Sequence, residues 1–405
     1  VSNVKFRKIV VLKFGGSVLD SQESILQASN VVRRILSEGK SVVVVVSALK
    51  GVTDQLINLA RSVDPKIEPK LLDELLASGE KTSSRLFAAA LSAQGVKALV
   101  VDPDTPYWPI YTDDKHMDAD PIPELTKQKC MQYLMPLLEE GNVPVVCGFL
   151  GKTVEGRITT MGRGGSDTTA ILLANCLSAD EAVLIKDVDG VYTSDPDKVK
   201  DAVKIDSLSG EEAEMLAAAG AKFLQLKALR YTGNGVKIRV TSLDRLDSGT
   251  VIRGDIPEID VEVIAEDITM ITVIGSESTE ESFTDIARAI KECKGLLVAS
   301  SFEGKGIVLY VKGGERVIES VHDLVIKQHL GKAISSFEGL SMISVKGSRL
   351  ETERGVIQRI TQPLAREGIN LFGLVTMLSS VKFFVLSSQA VRAKRLVQEA
   401  MLVNS

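Results

Sequence analysis

The stretch Ser41-Val42-Val43-Val44-Val45-Val46-Ser47 has five consecutive valines and no polar residue between its ends. β-branched residues favour extended backbone. A strand apolar on both sides must be covered on both, as in a parallel sheet flanked by helices. The flanking sequence fits that reading. Lys8 to Phe14 is a short β-branched run ended by Gly15-Gly16-Ser17, and Ser24 to Ser37 places Ile25, Ala28, Val31, Val32 and Ile35 at helical spacing. Downstream, the pattern predicts a long helix over 70–94, a strand over 96–101, a helix over 128–140, a strand over 143–149, a helix over 167–177 and a strand over 181–187. Ser209-x-x-Glu212 is a capping box that opens a helix expected to run to about Leu229, followed by a strand over 236–241. The β-α alternation predicts an α/β fold with a mainly parallel central sheet. Turn residues at Ser248-Gly249-Thr250 and at Gly254 to Pro257 predict a linker, closing a first domain over residues 1–257.

Beyond it the rhythm becomes a repeat of about 75 residues, each in the order βαββαβ of ferredoxin-like modules. The first, residues 260–338, has strands at 268–275, 296–301, 306–311 and 333–337, with helices at 281–293 and 315–326. The second, residues 339–405, has strands at 341–346, 369–377 and 381–387, with helices at 355–367 and 391–401, and only a very short final strand.

The 405 residues are 44% hydrophobic and 25% charged, enough apolar surface to exclude extensive disorder. Lys plus Arg is 48 and Asp plus Glu 53, a net charge of −5 that argues against general polyanion binding. Aromatic residues are too sparse for a stacking surface, so no nucleic-acid partner is expected. Cys130, Cys147, Cys176 and Cys293 form no CxxC pair, and the three histidines do not make a metal motif, so no protein-held metal is expected. No apolar run reaches membrane-spanning length, and Val1 to Val11 has no long apolar segment before a cleavage site. A cytoplasmic protein with no membrane partner is expected.

Five motifs carry chemistry. In Lys13-Phe-Gly-Gly-Ser17, two glycines between a strand and a helix let backbone amides approach an anion, and Lys13 adds a point charge; a simple tight turn is the alternative. The spacing is not that of a P-loop. Met161-Gly-Arg-Gly-Gly-Ser-Asp167 sets a planar, bidentate cation and an anion in a loop rich in backbone donors, which suits a zwitterionic substrate. Lys186-Asp-Val-Asp-Gly-Val-Tyr-Thr-Ser-Asp-Pro196 leaves a strand where open sheets bind ligands. Its DxDG start is not a calcium loop, because Lys198 stands where the twelfth-position Glu belongs. Ala77-Ser-Gly-Glu80 puts a costly glycine inside a helix, and Glu80 could hold an ammonium. Ser47 and Thr53, in Ser47-Ala-Leu-Lys-Gly-Val-Thr-Asp54, are candidate polar contacts at the end of the valine strand.

In this order the motifs resemble those of the aspartate kinases in the amino acid kinase family, over about residues 8–255. The two repeats resemble the tandem ACT modules of those enzymes, and Gly368-Ile-Asn370 resembles the GIN turn of an ACT effector site. The resemblance implies that ATP and L-aspartate give ADP and 4-phospho-L-aspartate, the first step toward lysine, threonine and methionine. It implies roles as well. Lys13, the backbone of Gly15 and Gly16, and Lys222 would stabilise phosphate, with Ser17 and Lys186 in the same nucleotide site. Arg163 would clamp a carboxylate and Glu80 the ammonium; Ser47, Thr53 and Ser166 would orient the substrate, and Asp167 would position it. Asp187 and Tyr192 would line the nucleotide site, and Mg2+ would ride on the ATP phosphates. An amino-acid effector would bind near Ser348 and Asn370, and a homodimer or larger assembly is expected through residues 260–405. The chain also departs from the family pattern. Lys186 stands where Thr is usual, Asp197 where Arg is usual, Ala221-Lys-Phe-Leu-Gln-Leu226 lacks the usual His-Pro, and the first repeat lacks a GIN turn.

Overall fold

All six residues of Ser41–Val46 are buried in a strand, as are those of the neighbouring strand Ile9–Phe14. Full burial of an apolar side chain contributes about 1.5–3 kcal/mol, so this pair anchors the sheet around it. The computed structural model describes residues 8–233, 235–254, 259–276, 279–347, 350, 354–377 and 379–402. The chain divides into two units, Val1–Ile256 and Pro257–Ser405.

The first unit runs β1 (Ile9–Phe14), α1 (Gln22–Ser37), β2 (Ser41–Val46), α2 (Val52–Val63), α3 (Pro69–Ala93), β3 (Ala98–Val101), α4 (Pro123–Lys129), a π-helical turn Cys130–Leu134, and α5 (Met135–Glu139). It continues with β4 (Val143–Cys147), β5 (Leu150–Lys152), β6 (Ile158–Thr160), α6 (Gly165–Cys176), β7 (Glu181–Lys186), β8 (Val191–Tyr192), β9 (Lys204–Ile205), β10 (Ser207–Ser209), α7 (Gly210–Ala218), α8 (Leu226–Leu229), β11 (Lys237–Ser242) and β12 (Thr250–Arg253). Eight strands form one sheet in the order β10-β12-β11-β7-β1-β2-β4-β3, parallel throughout except where β12 meets β11. Alternation along the strands sorts the side chains to two cores. Val10, Leu12 and Phe14 join α1 and Phe87 of α3 on one face, while Val11, Val43 and Val45 join α6 on the other. By the same alternation Lys13, at the carboxyl end of β1, faces the side on which α6 packs. Because β2 and β7 flank β1 on opposite sides, the loops after these strands diverge and leave a crevice at their carboxyl ends.

Two expectations for this unit need correction. The Ser209–Glu212 capping box is present, but the helix it opens ends at Ala218 rather than near Leu229. Gly220 takes φ +90° and donates to Ala217 O while Ala221 donates to Leu216 O, a Schellman end that the alanine-rich sequence concealed. The expected linker at 248–254 is partly strand: Thr250–Arg253 pairs with β10 and β11, and the Thr250 hydroxyl bonds Val191 N–H and Ile205 O. Pro257 lies outside the described residues.

The second unit runs β13 (Asp260–Ile274), α9 (Thr279–Glu292), β14 (Leu296–Glu303), β15 (Gly306–Lys312), α10 (Glu315–Lys327), β16 (Ala333–Lys346), α11 (Val356–Arg366), β17 (Gly373–Met377), β18 (Ser380–Leu386) and α12 (Ala390–Leu402). Its sheet is antiparallel, in the order β14-β15-β13-β16-β18-β17. The strands expected separately at 333–337 and 341–346 are one strand, β16, paired with β13 along most of its length. The register shifts near Asp267, whose φ is +55°, bend the ladder without ending it. Residues 260–263 of β13 pair with 343–346 and give the second repeat a further strand beside β16. Among the described residues no helix is long and apolar enough to cross a membrane.

Leu12 is fully buried, whereas Leu59 on α2 is 61% exposed. Leu12→Ala is expected to destabilise the first unit by about 2–5 kcal/mol, and Leu59→Ala to change it by less than about 0.5 kcal/mol. Denaturant titration of the two variants checks this; equal midpoints would contradict the assigned core.

Candidate active site

Four loops converge at the carboxyl ends of β1, β2, β4 and β6. They enclose a pocket of about 410 Å³ lined by Lys13, Gly16, Ser17, Ser47, Thr53, Glu80, Arg163, Ser166 and Asp167, with Lys50, Asp54 and Phe149 among its other walls.

Its central feature is a buried carboxylate between two ammonium groups. Asp167, in the first turn of α6, has Oδ1 2.7 Å from Lys13 Nζ and Oδ2 2.8 Å from Lys186 Nζ. Parallel register sets Lys13 beside Leu184 of β7, so the lysine that ends β7 comes near the one that ends β1. Burial alone would raise the Asp167 carboxyl, but the charges of Lys13 and Lys186 outweigh it and hold it at about 2. Lys13 lies below its ordinary value, because burial outweighs the pull of Asp167 and Lys186 repels.

Glu80 is the second buried carboxyl. Burial pushes it up to about 8, against the opposing effects of the Ala48 backbone amide and the Lys13 charge. Its Oε2 is buried with no hydrogen-bond partner among the described residues, and Glu80 lines the pocket. The glycine before it has its reason here. A Cβ on Gly79 would lie 3.2 Å from both Ala48 Cβ and Val52 Cγ1, so its absence lets α3 press against the loop after β2. Arg163 is exposed at the rim, on the loop between β6 and α6.

The remaining expected residues fall in three places. Gly15 lies beneath the pocket and donates its N–H to Ile185 O at 3.3 Å, which leaves Gly16 and Ser17 as the turn's exposed face. Asp187 and Lys222 are exposed and do not line the pocket. The Tyr192 hydroxyl donates to Asp189 Oδ1 at 2.6 Å, also away from the pocket. In the second unit Asn370 is exposed after α11, and Ser348 lies outside the described residues. The sequence reading missed Phe149. It adopts φ +66°, donates its N–H to Thr169 Oγ1 and lines the pocket; a left-handed phenylalanine has no sequence signature.

The amino acid kinase family model matches residues 8–242. The chain is similar to aspartokinase of Geobacillus stearothermophilus, 34% identical over 380 residues that cover 90% of this chain and 89% of the relative. The aspartate kinase structure from Synechocystis matches 96% of this chain and 69% of its own, with a TM-score of 0.77 at 25% identity. E. coli aspartokinase III in complex with aspartate and ADP matches in fold over 97% of this chain and 100% of its own, with a TM-score of 0.56 at 23% identity. With the family match spanning more than half its length and the bacterial relative alike along nine-tenths of it, the chain belongs to the amino acid kinase family, among the aspartokinases.

Proposed function

We propose that the pocket binds L-aspartate beside the γ-phosphoryl end of ATP and transfers that group to the β-carboxylate, giving ADP and 4-phospho-L-aspartate, the entry step toward lysine, threonine and methionine. The observation that carries the reading is the division of charge around one cavity: Lys13 and Asp167 at one wall with Lys186 paired to Asp167 behind it, buried Glu80 at another, Arg163 at the rim. Each part matches one group of the reactants. The attacking β-carboxylate is ionised at neutral pH, so no general base is needed and the protein has to align and neutralise. Lys13 and Lys186 together exceed the charge of Asp167, which leaves a net positive charge for a transferring phosphoryl group. Gly16 and Ser17 offer backbone donors beside it, and Lys222 and Tyr192 serve the more distant nucleotide groups. Arg163 takes the α-carboxylate, Glu80 the ammonium, and Ser47, Thr53 and Ser166 orient the substrate.

Asp167 is shared by two lysines, and among the described residues no His, Cys, Asp and Glu groups converge as a metal site. Mg2+ would ride on the ATP phosphates and would supply neutralisation of their charge there. Self-association and binding of an amino-acid effector belong to the second unit, and the free thiols suit a reducing cytoplasm.

Steady-state assay with ATP and either aspartate or glutamate tests the reaction. Aspartate-dependent ADP release well above that with glutamate is expected; preference for glutamate would reassign the substrate. Arg163→Lys keeps the charge but loses the fork geometry, so the aspartate KM is expected to rise about tenfold or more with a smaller effect on ATP. Unchanged aspartate kinetics would remove Arg163 from this role.

Glu80 supplies a pH signature. Its folded value lies above its ordinary 4.5, so its contribution to stability is full below about 4.5 and is lost as pH rises through about 8. Asp167 runs the other way: its contribution is present above 3.8 and is lost as pH falls through about 2. A substrate ammonium beside Glu80 favours the carboxylate, so aspartate binding at pH 7 is expected to release about one proton. Calorimetry in buffers of different ionisation enthalpy reads that number, and binding enthalpies independent of buffer would overturn it.

A further inference from the structure

Helix α3 carries a second buried carboxyl outside the pocket. Asp73 is fully buried and stands two helical turns before Glu80, on the same face of the helix. Three residues converge on it. His116 Nδ1 lies 2.7 Å from Oδ2, the Thr160 hydroxyl donates to Oδ1 at 2.6 Å, and the Met117 N–H donates to both oxygens at 3.2 Å.

These partners all lead to the Arg163 loop. Thr160 ends β6, three residues before Arg163, and its carbonyl accepts from Ala119 N–H at 2.9 Å. Met117 is held at φ +69°, a conformation that few residues other than glycine adopt, and its amide is the group Asp73 grips. Met117 and Asp118 press on the base of the loop. A Cβ added at Gly162 would lie 3.2 Å from Met117 O and 2.6 Å from Asp118 Oδ1. A single carboxyl thus joins the helix that carries Glu80, a strained turn at 116–119, and the strand end from which Arg163 projects.

Glu80 and Arg163 must grip opposite charges of one small zwitterion from two separate elements, so their spacing matters more than either group's own mobility. We propose that Asp73 is a positioning residue for aspartate recognition: through Thr160, Met117 and His116 it fixes the Arg163 loop at a set distance from Glu80, without touching substrate. The proposal rests on the function assigned above and adds a residue to it.

Kinetics of the full chain carrying Asp73→Asn test it, because Asn fills the same space but removes an acceptor oxygen. The aspartate KM is expected to rise about ten- to a hundredfold, while the ATP KM stays within about twofold of wild type. Thr160→Val and His116→Phe each remove one donor and are expected to give smaller rises of the same selective kind. A merely structural carboxyl would lower the melting temperature and the active fraction and leave both KM values in place. Unchanged aspartate KM in a folded Asp73→Asn variant, or equal rises for both substrates, overturns the proposal. Should that variant not fold, unchanged aspartate KM in both single-donor variants does so. A wild-type chain that releases no ADP with aspartate would overturn the function and this inference together.

Discussion

The carboxylate of Asp167 between the ammonium groups of Lys13 and Lys186 is the constraint around which the first unit is arranged. Taking three charges out of water costs several kcal/mol per ion, and apolar side chains of the same volume would serve stability as well or better. The cluster is therefore poorly explained as a structural device. It needs three elements at once: β1 and β7 side by side in parallel register, and the start of α6 above them. The amino-terminal end of α6 carries partial positive charge and favours a carboxylate there. One fewer cation would leave the cluster neutral, and without Asp167 two buried ammonium groups would repel. The arrangement holds a net positive charge in a fixed place at low exposure, which is what transferring a phosphoryl group between oxygens demands.

Much of this was legible because strand and loop chemistry is local. The valine run and the glycine motifs name the strands and the turns at their ends, and strand parity then tells which side Lys13 faces. Lys186 was visible as a departure from the family's usual threonine, yet its meaning waited on the geometry, since only the paired strands show that it shares Asp167 with Lys13. Residues whose role depends on contacts distant in sequence stayed hidden. Asp73, in Leu71-Leu72-Asp73-Glu74, reads as part of an amphipathic helix with a solvated face, and nothing nearby announces partners more than forty positions away. The Schellman end at Gly220 and the strand at 250–253 were missed because an alanine-rich helix and a turn-rich segment both carry weak periodicity; a local glycine cap decided the first and pairing with β10 and β11 the second.

The second unit shows what a repeat does not reveal. Reading βαββαβ twice treats each module as contiguous, but β13 serves both cores. Ile271 and Val273 pack with Leu309, Val311 and the helices α9 and α10, while Val261 packs with Ile343, Phe383 and the helices α11 and α12. The first repeat is thereby nested inside the second, whose closing strand precedes it in the chain. On the opposite face Tyr310 of the first repeat stacks on Phe384 of the second at 3.8 Å and donates its hydroxyl to Phe372 O, so a single antiparallel sheet carries three apolar clusters. Neither repeat buries its own core without a strand that the other also uses. A shift of β13 along its neighbours would move side chains in both cores together, because a register change on a pleated sheet exchanges its faces. The two repeats therefore share one strand, and a ligand that favoured one arrangement of either repeat would act on the packing of both.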